Sequence, residues 1–133
     1  MTNLDTEELN LIIKELKSKN ESGWIEVKEN NFTPEKVGET ISALSNTGIL
    51  FDKEYSYMIF GIKDETWDII GTTVNLSAQK VGNQELKLWL STQLNPSINF
   101  EFFDNFEYLD KNLSVIKIKT YHIHLCNLKK KNI

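Results

Sequence analysis

Between Thr6 and Lys19 the apolar residues Leu9, Ile12, Ile13 and Leu16 recur at steps of three and four, the spacing of one helix face. Asp5 or Thr6 can cap the first turn, and Glu7 and Glu8 lie near its positive end. The pattern changes after the break at Asn20 to Gly23. From Trp24 to Glu29 the positions alternate, with Ile25 and Val27 on one face and Trp24, Glu26 and Lys28 on the other, which predicts a strand. Thr33-Pro34 reads as an N-cap followed by proline at the first helical position, and Val37, Ile41 and Leu44 continue a second helix. Asn46-Thr47-Gly48 is expected to stop it.

Residues 49–55 read as a loop, and Tyr57 to Ile62 as a buried strand, with Trp67 to Gly71 its partner across the turn Lys63 to Thr66. Gly82-Asn83 is expected to open a third helix whose apolar side is Leu86, Leu88, Trp89 and Leu90, and Asn95-Pro96 to end it. Ile98 to Leu109 and Leu113 to Lys119 alternate on either side of Asp110-Lys111-Asn112, a turn sequence that closes a hairpin. The order α, β, α, β, β, α, β, β predicts an α+β fold, with a mixed or antiparallel sheet of about five strands and about three helices. Ile25, Val27, Val37, Ile41, Leu44, Ile59, Leu86, Leu90, Val115 and Ile118 are its expected core.

Length and composition narrow the picture to one small domain. The chain has 133 residues, 40% of them hydrophobic and 26% charged, which suits a single core. No apolar run approaches the roughly 20 residues of a membrane span, and the acidic N-terminus does not resemble a leader, so a cytoplasmic protein without a membrane partner is expected. The single cysteine, Cys126, cannot form an internal disulfide. Charge changes the picture more: the net charge is −4, and every one of the fifteen basic residues is lysine. Without arginine, bidentate readout of phosphate or guanine is excluded, and nucleic-acid contacts must use lysine, backbone amides and polar side chains.

Glu26 and Lys28 share the outward strand face, and Glu21 precedes Glu26 by five residues, so two carboxylates and an amine can meet. Clustered carboxylate oxygens are what Mg²⁺ or Mn²⁺ requires, and a nearby lysine can steady the charge that develops in phosphodiester cleavage. By spacing alone, the default for Glu26 and Lys28 is an ion pair on a solvated face. Asp64 follows the Tyr57 to Ile62 strand, where turn formation is its default role. Asn46, Thr47 and Gly48 offer amides and side-chain donors for a phosphate, although helix capping explains them as well. His122, His124 and Cys126 alternate near the end, but three ligands without a fourth make a weak zinc site. Lys129 to Lys131 read as a solvated basic end that adds nonspecific attraction to phosphate.

The stretches ESGWIEVKENN, VGETISALSNT, YMIFGIKDETWDIIGT and KVGNQELKLWLSTQLNPSINFEF, in that order, resemble the Schlafen-type AlbA-like domain, in particular a bacterial subgroup with a loop between the helix and the FG strand. The resemblance covers about residues 18–120, placing the domain at 1–120 and leaving 121–133 as an atypical basic tail. It implies an α+β fold related to the Alba nucleic-acid-binding fold, and a setting at the N-terminus of longer proteins such as transcriptional regulators. In vertebrate Schlafens with ribonuclease activity, three carboxylates act together, and the matching positions here are Glu21, Glu26 and Asp64, with Lys28 in the lysine place. Relatives usually continue with a Pro-Val-x-Phe segment and an aromatic-Ile-Arg strand. Here YHIHLCNLKKKNI stands instead, which reads as a truncation or frame change.

The favoured expectation is a nucleic-acid-binding module for RNA or DNA, with Lys28, Asn46, Thr47 and Lys63 as candidate contacts and weak affinity in isolation. The alternatives are a metal-dependent endoribonuclease using Glu21, Glu26 and Asp64 with Lys28, and an interaction domain that forms a homodimer through its sheet.

Overall fold

In the computed structural model, which describes residues 3–18, 23–94 and 98–120, the chain runs α1 (Thr6–Ser18), β1 (Ile25–Lys28), α2 (Pro34–Leu50) and β2 (Tyr55–Phe60). A short 3-10 turn at Leu76–Ala78 leads to β3 (Lys80–Val81), β4 (Gln84–Glu85), α3 (Leu86–Gln93), β5 (Phe100–Tyr108) and β6 (Lys111–Lys119). Four strands form the main sheet in the order β1-β2-β6-β5, and β3 and β4 pair separately. The parallel pair β1–β2 is connected through α2, as parallel neighbours require a crossover, while β2–β6 and β6–β5 are antiparallel.

Strand parity sorts the core into two clusters, one on each face. Ile25 and Val27 stand opposite Tyr57 and Ile59, and with Val115 they meet Leu9, Ile12, Ile13 and Leu16 of α1. Met58, Phe60, Ile116 and Ile118 point the other way, to Val37, Ile41 and Leu44 of α2 and Leu86 and Leu90 of α3. The result is an α+β fold with helices on both faces. All ten residues expected in the core are buried. At about 1.5–3 kcal/mol for each fully buried large aliphatic side chain, this apolar set dominates the stabilisation.

Several local expectations change. The second helix does not stop at Asn46-Thr47-Gly48 but continues to Leu50. Gly48 serves close approach there: a Cβ would lie 2.4 Å from both Ser56 Oγ and Thr120 Cγ2. Gly82-Asn83 makes the turn between β3 and β4, with Gly82 at φ 64°, and α3 begins only at Leu86. In place of a Trp67–Gly71 strand, a single antiparallel bridge joins Ile62 and Ile69. Trp24, placed outward by parity, is buried because it precedes β1 and tucks against Tyr57, with their ring centroids 5.9 Å apart. The buried strand β2 also starts two residues before the expected Tyr57, and Leu88 faces solvent. The closing hairpin forms, but its turn is Leu109-Asp110 rather than Asp110-Lys111-Asn112, since Lys111 and Asn112 are already paired in β6; both turn residues are left-handed at φ 51° and 64°, as a two-residue turn of primed type demands. Asn95-Pro96 lies outside the described residues.

Among the described residues the buried polar side chains, Ser45, Ser56, Ser114, Lys117 and Thr120, each have a hydrogen-bond partner. Ser56 Oγ donates to the Leu44 carbonyl at 2.9 Å, and Thr120 Oγ1 donates to the Lys53 carbonyl at 2.6 Å, tying the end of α2 to the sheet. On the opposite face Tyr57 donates its hydroxyl proton to Glu8, and Lys117 Nζ lies 2.8 Å from the same carboxylate and 2.6 Å from the Asn3 carbonyl. Burial, then the hydrogen bond to Glu8 and its charge, pushes the Tyr57 phenol far above its ordinary range.

Gly48→Ala should cost about 1–3 kcal/mol in urea unfolding, because its methyl has no room. Gly38→Ala, whose Cβ meets only Leu90 Cδ2 at 3.4 Å, should instead stabilise by up to about 1 kcal/mol through helix propensity. A raised phenol pKa means stability that is complete below the unfolded value of about 10 and declines as pH rises beyond it. Unfolding free energies measured between about pH 8 and 11 should therefore fall more steeply for the wild type than for Tyr57→Phe; equal slopes would mean that Tyr57 ionises freely.

Candidate functional site

Parallel strands finish at the same end of a sheet, so the loops leaving them gather there, and polar side chains can reach solvent without unpairing the ladder. At the end of β1 and β2 such loops surround a cleft of about 380 Å³, lined by Glu26, Val27, Lys28, Glu29, Asn30, Asn31 and Asp64.

Glu26 and Lys28 alternate on β1, in register with Met58 and Phe60, which places both on the α2 side of the edge strand. Lys28 Nζ is 3.3 Å from Glu26 Oε2, and the side chains are 37% and 42% exposed. An ion pair so solvated contributes at most about 1 kcal/mol, so either partner can be drawn to a ligand at little cost. The Lys28 carbonyl accepts the amides of Gly61 at 2.7 Å and Ile62 at 3.3 Å, fixing the end of β1 to the exit from β2. Only glycine fits at position 61. Its φ is 113°, and a Cβ would fall 2.6 Å from Leu113 Cδ2 and 3.1 Å from the Gly71 backbone.

This crossing sets up the tight turn that presents Asp64. The Lys63 amide donates to the Asp68 carbonyl and the Trp67 amide to the Lys63 carbonyl, both at 2.9 Å. Asp64 Oδ1 accepts the Glu65 amide at 2.9 Å, so its carboxylate bonds the backbone of its own turn. Glu65 and Trp67 adopt left-handed backbone at φ 73° and 62°, a conformation that costs a non-glycine residue on the order of 1 kcal/mol. The anchoring of Trp67 against the α1-side core and the turn hydrogen bonds oppose that strain. Across the cleft, Asn30 Oδ1 accepts from Thr72 Oγ1 at 2.5 Å and from the Thr73 amide at 3.2 Å, holding the loop after β1.

Of the residues singled out in the sequence, the structure gathers Glu26, Lys28 and Asp64 into one cleft. Glu21, His122, His124, Cys126 and the lysines 129–131 lie outside the described residues. Lys63 is exposed beside Asp64 but does not line this cleft. Asn46 and Thr47 are not brought to it: both are inside α2, and Thr47 Oγ1 donates to the Ala43 carbonyl at 2.8 Å. Their amides belong to the helix, so they offer no capping nest for a phosphate. Glu29, Asn30 and Asn31 were not singled out, although three polar residues immediately after a parallel strand are the signal for such a lining. Among the described residues no three histidines, cysteines or acids are grouped to hold a metal ion. The oxygen-rich lining of Glu26, Glu29, Asn30, Asn31 and Asp64 is nevertheless of the donor type that hard divalent cations take.

No described helix is long and apolar enough to cross a membrane. Replacing Glu26 by Gln should change the midpoint of thermal unfolding very little, since a half-exposed pair is worth at most about 1 kcal/mol. A loss well above that would mark the pair as structural rather than available to a ligand. No curated protein matches the chain. The family described as Schlafen, AlbA_2 matches residues 21–132, a span that includes the cleft and every strand.

Proposed function

We propose, for a chain that belongs to the Schlafen, AlbA_2 family, the function of a nucleic-acid-binding domain, acting as the N-terminal module of a transcriptional regulator. The observation that carries this reading is the family match itself, which spans residues 21–132 of the 133. Binding without arginine relies on lysine point charges and polar side chains, so it is weak and largely nonspecific in the isolated domain.

A second reading, a divalent-metal-dependent endoribonuclease, is favoured by the convergence of Glu26, Asp64 and Lys28 on one cleft. It requires Glu21 to bring a third carboxylate to Glu26 and Asp64. Mg²⁺ or Mn²⁺ there would supply a lowered pKa for bound water and a counter-charge for the phosphate. Lys28, held beside Glu26, is the group placed to meet negative charge developing on the scissile phosphate. Binding is the preferred reading because an acidic body captures a polyanion poorly, whereas a processing enzyme must capture it repeatedly.

Incubating the full chain with tRNA, with and without Mn²⁺, and comparing it with Glu26→Ala separates the two. The binding reading expects retained, intact RNA whose affinity falls shallowly with salt, corresponding to fewer than about six phosphates. Cleavage that needs both Mn²⁺ and Glu26 would establish the nuclease. Failure to retain RNA at a protein concentration of about 100 μM, within the range of ordinary nonspecific binding, would overturn the binding reading.

A further inference from the structure

At the end of the sheet away from the carboxylate cleft, where β2 begins and β6 finishes, a second cleft of about 470 Å³ is lined by Tyr55, Lys87, Phe100, Lys117 and Lys119, with one carboxylate, Glu101, among them. Its volume is in the range of small-molecule sites, roughly 300–1,000 Å³. Lys117 and Lys119 alternate on β6 and hold Nζ 4.4 Å and 5.0 Å from the Tyr55 ring centroid. Lys87 arrives from α3, its Nζ 6.0 Å from the Phe100 ring and 3.5 Å from Glu101 Oε1. Three ammonium groups from two distant elements thus border one aromatic-lined concavity.

The three lysines are held differently. Lys117 is 8% exposed and committed to Glu8 and the Asn3 carbonyl, so it belongs to the framework. Lys87 and Lys119 are 50% and 41% exposed and pair with Glu101 and Glu54, which are themselves 42% and 64% exposed. Pairs this solvated are readily exchanged for a phosphate, whose oxygens accept ammonium donors. Ser91 and Asn99 add neutral polar groups to the lining, and the half-buried Tyr55 adds a ring.

We propose that this cleft is a subsite for one nucleotide of a single-stranded nucleic acid, with Lys87 and Lys119 on the phosphate and Tyr55 against the base. The inference rests on the nucleic-acid-binding reading and names the surface that binding uses. A single strand is specified because a base can lie on an aromatic ring only when it is free of its partner. The subsite is separate from the carboxylate cleft: Tyr55 precedes Phe60 by five residues, about 17 Å along β2, and no described residue lines both clefts.

The test titrates the full ¹⁵N-labelled chain with uridine 5′-monophosphate, a short oligouridine and a matched RNA duplex. Three proteins are compared: wild type, Lys87→Gln/Lys119→Gln, and Lys14→Gln/Lys36→Gln, which removes the same charge from exposed positions on α1 and α2. Oligouridine should shift the amides of Ser91, Asn99 and Lys119, and the cleft variant should bind it about tenfold more weakly while the charge control changes less than about threefold. Thermal melting confirms that both variants fold. Equal weakening in both variants, or shifts confined to other surfaces, would overturn the subsite while leaving the nucleic-acid reading intact. Duplex binding equal to oligouridine binding would overturn its single-strand character. Shifts at these amides with the monophosphate but no oligouridine binding would sustain a nucleotide subsite and overturn the nucleic-acid reading. No shift with any probe would defeat both.

Discussion

Burial of both faces of the antiparallel pair β2–β6 is the requirement on which the rest of the fold depends. Ser56 to Phe60 and Leu113 to Ile118 are buried without interruption, so cover is needed on each side: α1 supplies one layer, α2 and α3 the other. Polar groups caught between the layers then need partners. An unpaired buried ammonium is prohibitively unfavourable, and Lys117 is tolerated because Glu8, the Asn3 carbonyl and the Tyr55 ring surround it. The same contacts seat α1. Apolar packing alone lets a helix shift along a sheet, whereas Glu8 must stay where it meets both Tyr57 and Lys117.

Because the middle of the pair is sealed, the polar side chains it carries collect at its ends. Where β1 and β2 finish, the lining is acidic and amide-rich; where β2 starts and β6 ends, it is lysine-rich and aromatic. The crossing of Gly61 and Gly71 opens the first end by sending the chain directly into the Asp64 turn. The bulge in β5 has a comparable local purpose. Asp104, in the irregular stretch between Phe103 and Phe106, accepts the amides of Leu76 and Ser77, holding the 3-10 turn that carries the buried Leu76 into the core.

What could be read in the sequence was whatever periodicity determines. Parity placed Ile25 and Val27 inward and Glu26 with Lys28 outward, and the three-four spacing identified the buried stripe of α1. Gly48 was not legible, because a glycine near a helix end signals either termination or close approach. The choice is made by Ser56 and Thr120, residues that are distant in sequence. Gly82 posed the same ambiguity between a cap and a hairpin turn. At the carboxylate cleft, spacing supplied Glu26 and Lys28, and resemblance supplied Asp64. The lysine cleft could not be foreseen, since Tyr55, Lys87 and Lys119 come from three elements that meet only after the sheet and α3 have packed.

Lysine as the sole cation has a structural consequence beyond the loss of bidentate contacts. Four lysines at or near the two clefts each sit against a carboxylate: Lys28 with Glu26, Lys87 with Glu101, Lys117 with Glu8, and Lys119 with Glu54. An incoming phosphate must therefore draw an ammonium away from an acid that stays close by and repels it. For the solvated pairs the exchange is nearly balanced, since water already screens both partners. For Lys117 it would strand the Glu8 carboxylate at the edge of the core, which keeps that lysine out of ligand contacts. Affinity for a phosphate would thus be limited by the acids that accompany each lysine as well as by the number of lysines. A body with net charge −4 can hold a polyanion only where its exposed ion pairs are loose enough to rearrange.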